Sequence, residues 1–185
     1  MSGNAAEHES EARPTRGLTP LAGPEDVSYA GKTVVLCLGN PYLRDDGIGC
    51  RVAEELRGSG LRENVLVETC RSADLSLLWE YEGASRIIVV DAMKAGTPPG
   101  TVSRYKISAS ETPLHRLRGL HTLQMSDMYD IASQAGLLKC PVTIVGVEPK
   151  DCSVGEGLST ELVNAVPLVL AEVNKELALP DPRAE

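Results

Sequence analysis

From residue 33 onward the chain alternates short aliphatic runs with stretches of helical periodicity, and that alternation restricts it to few architectures. The runs are "TVVLCLG", "NVLVETC", "RIIVVDAM" and "PVTIVGVEP". Between them lie "DDGIGCRVAEELRGS", "ADLSLLWEYEGA" and a helical pattern from His121 to about Ala135. "STELVNAVPLVLAEVNKELA" forms a closing helix, with Ser159 as its N-cap and Pro167 as the place for a kink. Strands alternating with helices make βαβ units and a largely parallel sheet. The expectation is an α/β fold, a single three-layer αβα domain around a twisted, mostly parallel sheet of about five strands. "AGTPPGTVSRYKI" adds a Pro/Gly turn and an alternating strand, an edge or antiparallel member, and residues 108–119 read as a loop.

With 185 residues the chain has room for one such domain. Residues 1–30 are rich in Glu, Ala, Pro, Gly and Ser without periodicity and read as a flexible tail; the domain is expected over 31–180, with a short tail at 181–185. The net charge is -8 and no Lys/Arg-rich run offers a path for phosphates, which argues against a nucleic-acid partner. The polar, acidic N-terminus and the lack of a long apolar run argue against export or a membrane. Five cysteines without a C-x-x-C suit the reducing cytoplasm better than a disulfide framework or a zinc knuckle. Nothing in the pattern demands more than a monomer.

Ligands of open α/β sheets bind beyond the carboxyl ends of the strands, so the residues after each aliphatic run carry the chemistry. The first run ends in Gly39-Asn40-Pro41, and Asp45, Asp46 and Gly47 follow at the expected helix start. Asp45 and Asp46 there could simply serve as an acidic helix cap. The spacing matches neither G-x-G-x-x-G nor a P-loop, and two carboxylates repel a phosphate. Asp91 ends "RIIVVD", where it either belongs to a site or caps the turn "AGTPPG". Of three histidines, His8 lies in the tail, His115 in a loop and His121 at a helix start that can return to the same sheet edge. Two carboxylates and an imidazole converging suit a divalent first-row metal such as Ni, Zn, Mn or Fe. There is no G-x-S-x-G and no Cys with an obvious His partner, so the cysteines read as packing.

Four blocks in order, "LGNPYLRDDGIGCRVAEEL", "IIVVDAMKAGTPPGTV", "LHTLQMSDMYDIA" and "VTIVGVEPKDCSVGEGLS", closely resemble the hydrogenase maturation proteases, over roughly residues 32–178. These endopeptidases trim the large subunits of nickel-iron hydrogenases. The resemblance implies a phosphorylase/hydrolase-like fold and a metal-chelating trio of Asp46, Asp91 and His121, with Asp46 and Asp91 also the catalytic candidates. It implies a substrate-binding loop containing Gly39, Asn40, Asp45 and Gly47. The nickel is implied to arrive inside the large-subunit precursor, and zinc or cadmium are other ions for the same donors. Cleavage then follows metal insertion and removes a C-terminal extension just after the subunit's final C-x-x-C-x-x-[HR] motif. Either the nickel polarises the carbonyl or a water, or a carboxylate acts as general base. Here the histidine follows "RGL" rather than the family's usual small residue or Pro, and His115 lies six residues earlier; the helical pattern favours His121. Two other readings compete. A nickel-checking chaperone could use the same ligands without cutting. A peptidyl-tRNA hydrolase also opens on "GLGNPG", but it needs a "TRHN" His and Asn where this chain has Asp45 and Asp46, and its tRNA suits the -8 charge poorly.

Overall fold

The computed structural model describes residues 28–71, 81, 83–107, 118–119 and 140–182. Among these, β1 (Thr33–Leu38), β2 (Val65–Cys70), β3 (Arg86–Lys94), β4 (Val102–Ile107), β5 (Arg118–Gly119) and β6 (Val142–Val147) build the sheet. A single 3-10 turn at Arg44–Gly47 leads into α1 (Ile48–Gly58), and α2 (Thr160–Leu177) is the second described helix. The main path of the sheet runs β2-β1-β3-β6-β4. The first four strands are parallel and β4 joins β6 antiparallel, which gives the expected five-stranded, mostly parallel sheet with one antiparallel member. Within the stretch read as a loop, β5 pairs Arg118 and Gly119 with Lys94 and Met93. The helical patterns at 73–84 and 121–135 lie largely or wholly outside the described residues, as do His115 and His121.

Every residue of β1 is buried, which is why its run is continuously apolar rather than alternating: a central parallel strand is covered on both faces. Val35, Cys37, Ile88, Val90, Val145 and Val147 point to one face. There they meet Ile48, Val52 and Leu56 of α1 and Leu162, Val169 and Val173 of α2. The alternate residues Val34, Leu36, Ile87, Val89 and Ile144 form a second core on the opposite face with Tyr81.

Both ends of α2 are held. Ser159 caps its N-terminus, accepting from the Leu162 N–H at 3.4 Å. At the other end Arg86, 6% exposed, donates to the carbonyls of Glu176 at 2.6 Å and Pro180 at 2.8 Å, and Arg62 donates to Leu177. These guanidinium bonds satisfy carbonyls that a helix C-terminus leaves without partners. Between the two ends α2 continues through Pro167 as one helix of 18 residues.

From β1 the chain passes through α1 to β2 on one side, whereas β3 lies on the other side of β1. The order therefore reverses between β1 and β3, and the crevice of a doubly wound sheet opens at such a point. Here α1 begins at Ile48 rather than at Asp45. It starts so close to the sheet that a Cβ on Gly49 would lie 2.0 Å from the Leu38 carbonyl oxygen. Replacing Gly49 by Ala is expected to cost about 3 kcal/mol by overpacking, measured as a lowered midpoint in denaturant unfolding; unchanged stability would contradict this packing.

Candidate active site

The loop after β1 is a closed ring of backbone and side-chain bonds. Gly39 has φ +139°, and a Cβ there would sit 1.9 Å from the Asp46 carbonyl oxygen, so the loop can fold back only on a glycine. The Asn40 N–H donates to Asp46 Oδ2 at 2.8 Å, while Asn40 Oδ1 accepts from the Tyr42 N–H at 3.1 Å. Gly47 closes the ring, since a Cβ there would come within 3.0 Å of Pro41 Cα. Asp46 is wholly buried, and the bond from Asn40 fixes how its carboxylate is turned.

Asp45 is also wholly buried, and its carboxylate faces inward to a different set of partners. Oδ2 accepts from the N–H groups of Lys150 and Asp151, each at 2.8 Å, and from Ser159 Oγ at 3.0 Å; Oδ1 accepts from the Ser159 N–H at 2.6 Å. Asp45 thereby ties the loop after β1 to the segment entering α2, rather than capping the following helix. The cap of α1 is Gly47, without a side-chain bond.

Asp91, 1% exposed, lies inside β3, which runs on to Lys94 rather than ending at the aspartate. It is the first β3 residue beyond the last β1 pair, Cys37 with Val90, and its partner in β6 is Gly146. The turn after β3, for which Asp91 was one candidate cap, is held by Glu148. Glu148 Oε2 accepts from the Ala95 N–H at 2.7 Å and from Thr97 N and Oγ1 at 3.1 Å. Sequence reasoning passed over Glu148, although it stands just past an aliphatic run, where the carboxyl-edge rule points.

The 3-10 turn carrying Asp46 packs against β3, the strand that carries Asp91, beside the reversal of strand order. Two buried carboxyl groups offer oxygen donors of the kind a divalent cation takes. Among the described residues no group of three His, Cys, Asp or Glu side chains is gathered for a metal. The third expected donor, His121, lies outside those residues.

The nearby thiols are poor nucleophiles. Burial pushes Cys37 up to about 12. Burial, followed by nearby acidic side chains, raises Cys50, and burial and then Asp46 raise Cys152. All three are protonated at neutral pH, and only the thiolate attacks.

The sequence profile described as HycI hydrogenase maturation protease matches residues 50–176, more than half of the chain; it begins beyond the Gly39–Gly47 loop and takes in Asp91 and His121. The hydrogenase expression/formation protein HupD of Bradyrhizobium diazoefficiens is 30% identical over 128 residues, covering 67% of this chain and 66% of HupD. Among solved structures, the hydrogenase maturating endopeptidase HybD of E. coli superposes with a TM-score of 0.68 at 24% identity, covering 79% of this chain and 91% of HybD. A hydrogenase 2 maturation peptidase from the Thaumarchaeota archaeon SCGC_AB-539-E09 gives a TM-score of 0.62 at 25% identity, covering 80% of this chain and 99% of the peptidase.

Replacing Asp45 by Ala removes the acceptor for three backbone N–H groups at once. The expected cost is about 3 kcal/mol, or a drop of roughly 6–12 °C in Tm. Thermal unfolding followed by circular dichroism measures it, and an unchanged Tm would rule out Asp45 as the tie between the two segments.

Proposed function

This chain belongs to the hydrogenase maturation protease family, a family of peptide-bond hydrolases, and on that premise we propose that it trims the precursor of a nickel-iron hydrogenase large subunit. The cut removes the precursor's C-terminal extension after nickel has been installed. The observation that carries this reading is the pair of buried carboxylates, Asp46 and Asp91, at the reversal of strand order, with Asp46 held in place by the Asn40 N–H. Among the described residues no helix is long and apolar enough to cross a membrane, and the reading places the protein in the cytoplasm as a monomer.

In this reading Asp46, Asp91 and His121 grip nickel that belongs to the substrate, so a precursor without nickel is not held. Zinc or cadmium offered free would fill the same donors without a peptide to cut. Recognising the metal positions the bond next to it, and positioning is a large part of a hydrolytic rate. Hydrolysis adds water across one amide: the water oxygen bonds the carbonyl carbon, the C–N bond breaks, and the amine of the leaving extension takes a proton. Asp46 or Asp91 is within the crevice to receive the water's proton as a general base. Substrate nickel offers Lewis-acid polarisation of the carbonyl or the water as the other route.

Intact mass of a large-subunit precursor, nickel-loaded or nickel-free, tests the proposal. Loss of a C-terminal peptide from the loaded form alone is the expected result. A stable complex in which the precursor stays full length would convert the site into a nickel-checking chaperone. Asp46→Asn, Asp91→Asn and His121→Ala are each expected to abolish processing with folding intact, whereas His115→Ala changes it little; a dead His115→Ala beside an active His121→Ala would reassign the third ligand. Cys152→Ser is expected to retain the wild-type rate within about threefold, as a protonated thiol with no nucleophilic role allows, and an inactive variant would reopen a thiol mechanism.

A further inference from the structure

Asp91 sits on the face of the sheet turned away from α1 and α2. Side chains alternate along β3, so Asp91 shares that face with Ile87, Val89 and Met93. Its register partner in β6 is Gly146, which opens on the same face because Val145 and Val147 point to the other. Gly146 is not among the glycines of positive φ, so the backbone has no need of glycine there, and glycine inside a strand weakens it. Space supplies the reason. A Cβ on Gly146 would lie 2.3 Å from Met93 Sδ and 3.0 Å from its Cγ. The Met93 side chain, 3% exposed, therefore leans back along β3 and lies across β6 at the level of Asp91. Neighbouring strands are about 4.8 Å apart, and the thioether stands one such spacing from Asp91.

We infer that Met93 is a positioning residue for the reaction, an apolar wall that closes the β6 side of Asp91. The inference rests on the proposed function, which gives Asp91 its work. Beyond the wall the same face is polar. Met93 and Gly146 border a space too narrow for a water molecule, and Thr97, Thr101, Ser103, Tyr105 and Glu148 form its other sides. Asp91 does not line that space. A hydroxyl that reached Asp91 would bond a carboxylate oxygen and turn it from the substrate. A thioether is at most a weak acceptor, and its unbranched chain fills an irregular gap, so methionine separates the two without competing for the carboxylate. On the other side of β3 the pairing with β1 has already ended, at Cys37 with Val90, and the turn carrying Asp46 packs against β3. Substrate therefore meets Asp91 from the β1 side, with Met93 behind it.

The test is steady-state processing of the nickel-loaded precursor by the full-length protein, by Gly146→Ala, by Met93→Ala and by the double variant, with the Tm of each measured in parallel. The methyl group in Gly146→Ala drives the thioether from its place, and kcat is expected to fall about a hundredfold with KM within about twofold. Met93→Ala opens the wall and is expected to lower kcat as well. In the double variant the new methyl group has room and fills part of the gap. Its kcat is expected to recover about tenfold over Gly146→Ala, as coupled neighbours do. Losses that simply multiply in the double variant overturn the inference. So does a lowered Tm with wild-type kcat in all three, which makes Met93 core packing only. Should Gly146→Ala not fold, Met93→Ala carries the test, and wild-type kcat in it overturns the wall. A wild type that leaves the loaded precursor uncut overturns the function and the role of Met93 together.

Discussion

A carboxylate taken out of water must be met by donors or it costs several kcal/mol, and the buried Asp45 is met almost entirely by backbone N–H groups from residues 150, 151 and 159. Everything at the carboxyl edge depends on that arrangement. It draws the segment after β6 down onto the loop after β1, brings Ser159 to the position from which it caps α2, and holds the turn in which Asp46 is the next residue. The two aspartates thus divide the work. Asp45 joins the loop to the segment entering α2, and Asp46 is held within the loop by the Asn40 N–H.

That division explains what the sequence could and could not say. The strands were legible because central parallel strands must be apolar on both faces, and "TVVLCL", "RIIVV" and "VTIVGV" are apolar throughout. The parallel sheet followed from the βαβ pattern, and with it the attention to residues after each strand, Asp46 and Asp91 among them. The separate roles of Asp45 and Asp46 were not legible, because in a turn with three residues per revolution consecutive side chains diverge by about a third of a circle. Adjacent letters then face unrelated surroundings. Glu148 was hidden for another reason: its partners, Ala95 and Thr97, are backbone and side-chain groups of a distant turn with no compositional signal. β5 could not be read from two residues, since periodicity needs a longer window.

The β1–α1 loop is also built with a minimum of material. Its glycines let backbone approach backbone where any side chain would collide, at Gly39 against the Asp46 carbonyl and at Gly47 against Pro41. It also accommodates Arg44 at φ +47°, a left-handed conformation costly for a side-chain-bearing residue and sustained by bonds to Gly155 and Asp151.

The clamps on α2 set an order of events during synthesis. The residues that hold it, Asp45 at its start and Arg62 and Arg86 at its end, all leave the ribosome before the helix does. Until residues 150–180 follow, Asp45 has none of these donors and the loop carrying Asp46 has nothing to close against. Nascent chains and C-terminal truncations that stop before residue 150 therefore contain the β1–α1 loop without the donors that meet Asp45. The clamps that hold α2 are thus made of residues that precede it, and the helix completes them only when it arrives.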